Sequence, residues 1–308
     1  MSAIDQVAIV GSGIIGSSWA LVFARAGLRV RIWERGDKGG ALRRVATLVG
    51  NLAGSGLEGD AHTLERIGVF DSLEETLDGA DYIQESIVEN LAIKQSLFKQ
   101  IEARTGAVIA SSTSGLAPSA MAADLANPER LLVVHPLTPP HLLPIIEVCP
   151  SPKTSPAAIA ATMALMRRVG QRPMLLKKEI AGFALNRALS AMMNEFFALI
   201  GDGVLDPRDV DAALTEGFGL RWSVIGPLAA MDLNAPGGIR DYLARYGGIF
   251  KEVARSRGME PALNDEIIDS VAAAVDSLYA EQDKAVRAAR RDRAIAAVRC
   301  LKEGGNRE

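Results

Sequence analysis

The decapeptide VAIVGSGIIG, Val7–Gly16, constrains this chain more than any other stretch. Four β-prone apolar residues run straight into glycines at 11, 13 and 16, and the residues after them read as a helix. A G-x-G-x-x-G turn between strand and helix has a definite physical use. Gly11 permits the tight turn, Gly13 lets the backbone approach a pyrophosphate, and Gly16 lets helix pack closely on strand. The amides of the helix start, at Ile14 and Ile15, then meet the anion. With 29 glycines in 308 residues the pattern alone arises easily by chance, so the next strand matters. That strand ends IWE, which puts Glu34 where a carboxylate takes two ribose hydroxyls and repels a 2′-phosphate. Gly11, Gly13, Ile14, Ile15, Gly16 and Glu34 therefore predict an NAD site, while the adjacent Arg35 leaves its strictness against NADP open.

Residues 7–24 carry no charge, and such a run also suits an export signal or a membrane segment. No basic region precedes it, and its glycines are spaced as a turn, so strand–turn–helix is the reading. Further β-rich runs follow: RVRIWE, IGVF, YIQESIV, AVIAS, LLVVH, IIEVC and PMLLK. Helical patterns such as LAIKQSLFKQIEA lie between several of them. This alternation predicts an α/β fold with helices on both faces of a mainly parallel sheet. Ser72 with Glu75 makes a capping box, and Ser155–Pro156 a cap before a first-turn proline. After about residue 182 the strand signal stops and Ala-rich helical patterns run to the end. The predicted organisation is a Rossmann-type doubly wound domain over residues 1–183 and an all-α domain over residues 184–308.

Composition excludes several classes of function. A net charge of −3 argues against a chain built to hold nucleic acid or an acidic membrane. The basic run KAVRAARRDR reads as a solvated helix face, because Ile295, Val298 and Leu301 continue it as a buried stripe. Cys149 and Cys300 make no disulfide framework and no CxxC pair, which points to a reducing cytoplasm. No His/Cys/Asp cluster has zinc spacing, so no metal is expected.

A nicotinamide enzyme needs a group to take a proton as hydride leaves carbon, and histidine suits this near neutral pH. His135 ends the apolar run LLVVH, at the strand edge where open α/β sheets bind ligands. A proline-rich turn follows, and Glu147 comes next inside the apolar IIEV, where a lone carboxylate would be costly. If the turn reverses the chain, Glu147 returns beside His135 and orients its imidazole. The residues alone equally admit a structural His135. His141, within the turn, reads as a solvated loop residue or as part of a site, and His62 as surface.

Several further motifs, in order, carry a resemblance. GSGIIG, ESIVENLAIK, SSTSGL, HPLTPP with IIEV, KKEIAGFALNR, GFGLRWSVIGPL and MDLNAPGG are similar to those of the 3-hydroxyacyl-CoA dehydrogenase family. Within it the chain resembles the lambda-crystallin branch, which includes L-gulonate 3-dehydrogenase. The resemblance implies that His135 is the general base and Glu147 its orienting partner. It implies that Ser114 hydrogen-bonds the reacting oxygen, that Asn186 helps hold it, and that Glu89 and Lys94 line the cofactor site. It also implies a homodimer built by the helical domain, whose ALSAMMNEFFALI is apolar nearly all round and expected to be buried on several sides.

Two departures bear on substrate. Thr138 stands where the family usually has asparagine, and His141–Leu142 where the branch usually has an aromatic pair. Thr138 and His141 are therefore candidate substrate contacts. Acyl-CoA members carry a lysine-rich segment after the second strand; here residues 35–60 hold one lysine and end acidic, although Arg43 and Arg44 keep CoA in play. A small free 3-hydroxy acid is the better reading, with Arg221 a candidate for its carboxylate and a structural arginine the alternative. Carnitine, a 3-hydroxy acid with a quaternary ammonium, would use Trp222, Tyr242 and Tyr246 as a cage. A crystallin-like structural protein is the non-enzymatic alternative; the intact His135, Glu147, Ser114 and Asn186 set favours an enzyme.

Overall fold

The structure is a computed structural model that describes residues 4–257, 266, 269 and 284–304. The chain divides into two compact units, one of residues 1–187 with 284–308 and one of residues 188–283.

The first unit is built on an eight-stranded sheet of order β3-β2-β1-β4-β5-β6-β7-β8. Its strands are β1 (Gln6–Val10), β2 (Arg29–Trp33), β3 (Ile67–Phe70), β4 (Tyr82–Glu85), β5 (Val108–Ser111), β6 (Leu131–Pro136), β7 (Ile145–Pro150) and β8 (Arg172–Leu175). All neighbours pair parallel except β6 and β7. Every run read as β-rich from the sequence is a strand. The charge-free stretch of residues 7–24 is β1, the glycine turn and α1 (Ile14–Arg25). Among the described residues no helix is long and apolar enough to cross a membrane.

The period of two along each strand sorts the core into two layers. Val7, Ile9, Tyr82, Ala110, Leu132, Val134, Ile146 and Val148 face α1, α2 (Lys38–Asn51) and α6 (Pro156–Arg168). Ala8, Val10, Ile83, Ile109, Leu131, Val133 and Cys149 face α3 (Leu73–Leu77), α4 (Leu91–Glu102) and α5 (Pro118–Met121). With both faces covered, the strands are apolar almost throughout. Helix starts fall where their caps sit: Ser72 accepts from the Glu75 amide at 3.3 Å and Ser155 from the Ala158 amide at 3.1 Å.

A helix, α7 (Phe183–Gly201), leaves the first unit and enters the second. The second unit continues with α8 (Pro207–Ala212), a π-helical turn (Ala213–Gly219), α9 (Leu220–Val224), α10 (Pro227–Leu233) and α11 (Gly238–Arg257). The ALSAMMNEFFALI segment of α7 differs from expectation: its residues are half-buried or exposed, and none is buried among the described residues.

The last helix, α12 (Lys284–Gly304), belongs to the unit that holds the sheet. Its expected stripe is rotated. Ile295 packs on the core, but Val298 is 47% exposed and Leu301 76%, while Asp292 and Ala296 are buried. The surface α12 meets presents backbone carbonyls, so donors face inward. Arg299 donates to Leu142 O at 3.0 Å and Gly170 O at 3.4 Å, and Cys300 to Ser55 O at 2.6 Å. Most side chains of the basic run at 284–293 lie outside the described residues.

Candidate active site

Parallel strands β1, β2, β4, β5 and β6 all end on one edge of the sheet, and the chemistry-bearing residues collect there. The glycine turn comes first. Gly11 has φ +107°, and a Cβ on it would come within 2.6 Å of Ser86 O, so β1 reaches the end of β4 only with glycine. A Cβ on Gly16 would strike the Gly11 carbonyl, which forces glycine where α1 crosses β1. Gly13 has no protein atom within 4 Å of its Cβ position, leaving room for a ligand against the backbone. No side chain caps α1 and no acidic residue sits in its first turn, so its amides stay available to an anion. These residues fit a dinucleotide.

Beside the turn, Glu34 follows β2 and accepts from the Ser12 hydroxyl, with Arg44 Nη2 at 2.7 Å. The Ser12 hydrogen bond, together with Arg44, holds the Glu34 carboxyl below the usual carboxylate range against the opposing cost of burial. Arg35 stacks over the Trp33 ring, 5.0 Å from its centroid. A cleft of about 700 Å³ opens between Gly11, Gly13, Trp33, Arg35, Ser86 and α4. A second hollow runs along α3, lined by Arg31, Glu75, Asp78 and Arg104.

His135 and Glu147 stand directly opposite each other in the antiparallel β6–β7 pair. His135 Nδ1 lies 2.8 Å from Glu147 Oε2, with both residues buried. The other carboxylate oxygen, Oε1, accepts the Ala184 and Leu185 amides at the start of α7, at 2.7 and 3.0 Å. A buried carboxylate is tolerated because every oxygen has a donor. The Phe183 ring packs 5.4 Å from the imidazole.

Ser114 lies exposed on the loop after β5. Asn186 Nδ2 donates to its carbonyl at 2.8 Å, and its amide donates to Glu89 Oε1 at 2.9 Å. Glu89 also takes the Gly115 amide at 3.2 Å and the Thr113 hydroxyl. It thus holds the loop that carries Ser114.

Lys94 is 1% exposed, and its ammonium lies 2.5 Å from Glu85 Oε1 and 3.7 Å from Glu89 Oε2. Its charge is paired within the protein. Glu85, missed in the sequence, is fully buried and also takes the Ser111 hydroxyl at 2.6 Å and the Ile87 amide at 2.6 Å. The available signal was a carboxylate inside an apolar strand.

His141 requires a correction. It is 2% exposed, with Nδ1 3.0 Å from Ser18 Oγ on α1 and its carbonyl 2.8 Å from Arg25. The reversal after β6 folds it down onto α1 instead of out to the rim. Thr138, which precedes a cis peptide to Pro139, is exposed. Arg221 is exposed on α9 in the second unit. His62 is on the surface beside Glu65. Among the described residues no group of His, Cys, Asp and Glu is arranged to hold a metal.

The chain is similar to known proteins over most of its length. Residues 6–180 match the model of the 3-hydroxyacyl-CoA dehydrogenase NAD binding domain, and residues 182–269 that of its C-terminal domain. The chain is 40% identical over 279 residues to a lambda-crystallin homolog of Bos taurus, covering 88% of this chain and 86% of that protein. It is 35% identical over 300 residues to L-carnitine dehydrogenase of Streptomyces coelicolor, covering 96% and 94%. Among solved structures, an NAD+-dependent FHMPC 5-dehydrogenase superposes with a TM-score of 0.84 at 27% identity, over 98% of this chain and 99% of that one. The chain belongs to the 3-hydroxyacyl-CoA dehydrogenase family and is an NAD-dependent dehydrogenase acting on a hydroxyl group.

Proposed function

We propose that the protein oxidises the 3-hydroxyl of a small free hydroxy acid, with L-gulonate as the model substrate. The observation that carries this reading is the His135–Glu147 pair, buried and bonded at 2.8 Å. Glu147 occupies Nδ1, so Nε2 is the nitrogen left to take the alcohol proton. NAD, when bound, accepts the hydride from the same carbon, and a carbonyl is left behind. The carboxylate, fixed by two α7 amides, stabilises the imidazolium that forms. The Ser114 hydroxyl hydrogen-bonds the reacting oxygen, and Asn186 keeps the Ser114 loop in place. Glu89 fixes that loop from its other side.

Preference for a free acid over a CoA thioester rests on the segment after β2. Arg43 pairs with Asp37 and Arg44 with Glu34, so the two arginines best placed for a CoA nucleotide already have carboxylate partners. Arg221 is the proposed partner of the substrate carboxylate, and Thr138 a rim contact. Carnitine is the second reading. It is favoured by the likeness to L-carnitine dehydrogenase and by two aromatic pairs in the helical unit, Phe218–Trp222 and Tyr242–Tyr246, each with centroids 5.0 Å apart. A homodimer formed through the helical unit of residues 188–283 completes the proposal; the half-covered apolar face of α7 supports it.

NAD reduction measured across L-gulonate, L-carnitine and short L-3-hydroxyacyl-CoA thioesters tests this reading. The expected order of kcat/KM places gulonate first. Activity with the thioesters alone would overturn it.

A further inference from the structure

We propose that Ser86 binds the cofactor, its hydroxyl held as an obligate donor toward the ribose–pyrophosphate segment of NAD by a one-way hydrogen-bond relay that starts at Trp19. Ser86 directly follows β4, with its backbone beside Gly11, and lines the dinucleotide cleft, partly exposed. Behind it, on the α1 face of the sheet, Ser112 Oγ is a hub. The Trp19 Nε1–H donates to it at 3.1 Å and the Gln84 amide nitrogen at 2.8 Å. Ser86 Oγ lies 2.9 Å away on the remaining side.

A hydroxyl has one proton and two lone pairs, and an indole N–H can only donate. The Trp19 and Gln84 donors fill both lone pairs of Ser112. The Ser112 proton must then go to Ser86. That leaves Ser86 with its own proton, and among the described residues no protein acceptor takes it. The direction rests on two donors together, the fully buried Trp19 indole, which can only donate, and the Gln84 amide nitrogen. A donor fixed in this way is best satisfied by the oxygens of an anionic diphosphate and its ribose, because charge-assisted hydrogen bonds are the stronger ones.

The test is fluorescence or calorimetric titration with NADH and ADP-ribose, on the folded protein without substrate. Ser86→Ala is expected to weaken NADH and ADP-ribose about 10- to 150-fold, the range for losing one hydrogen bond to a charged group. Trp19→Phe removes the first donor of the relay, lets Ser86 turn inward, and is expected to weaken ADP-ribose several-fold. In the Ser86→Ala background the same Trp19→Phe change should have no further effect. Unchanged ADP-ribose binding in Ser86→Ala would overturn the contact. Additive losses in the double variant would overturn the relay, since damage to packing alone adds independently.

Discussion

Glu147 sits opposite His135 by strand register alone, and the two side chains meet because a one-residue shift would turn Glu147 to the other face of the sheet. The imidazole is thereby fixed at Nδ1 and free at Nε2. His135→Gln is expected to lower kcat about 10²–10⁴-fold, the usual range for loss of a general base. NADH affinity should stay within about twofold, since in the proposed mechanism the pair takes the substrate proton and does not hold the dinucleotide. Stopped-flow rates with parallel NADH titration check both, and a near-normal kcat would exclude His135 as the base. Cys149, on the same face and next to this pair in the strand, has its thiol pushed up to about 11 by burial, with Glu179 and Glu147 adding to it. A thiol raised that far stays protonated at neutral pH and at pH 8, so native protein should leave Cys149 unmodified by a thiol reagent. Peptide mapping after labelling checks this, with denatured protein as the positive control.

At the scale of elements, the site is a set of strand ends braced from beneath. Glu85 on β4 and Lys94 on α4 form a buried ion pair that also gathers the Ile87 amide and the Ser111 hydroxyl. Through Glu89 the same charges reach the loop carrying Ser114. Removing one partner leaves the other charged and unpaired in the interior, the costly half of such a change. Glu85→Gln is therefore expected to destabilise the protein by about 3–5 kcal/mol in denaturant unfolding. A loss under about 1 kcal/mol would show that the pair carries little of the fold's stability. On the far side, α12 clamps the reversal between β6 and β7 through Arg299 on the Leu142 carbonyl. That contact escaped the search for an apolar stripe, because an arginine facing carbonyls leaves no hydrophobic period to find.

At the scale of the molecule, α7 reads apolar nearly all round yet is only half-covered among the described residues. A second copy would remove that surface from water, so size-exclusion chromatography with light scattering at micromolar protein is expected to give about twice the chain mass of 32.7 kDa. A mass near that of one chain would contradict the homodimer.

The order of elements was legible in the residues: eight β-rich runs separated by helical patterns became eight strands, because fully buried strands leave unbroken apolar runs. The glycine turn was equally legible, since Gly11 and Gly16 mark approaches that no side chain allows. Candidate residues His135 and Glu147 could be named from their apolar surroundings, but the 2.8 Å bond between them belongs to the antiparallel pairing of β6 with β7. The fates of Lys94 and His141 were decided only by the tertiary structure. One meets Glu85 beneath the sheet edge and the other is folded down on α1. Sequence records which side chains need a partner, because burial of a polar group is costly wherever it happens. Which partner it finds depends on strand register and on the faces that helices turn inward, both set by contacts between residues far apart in the chain.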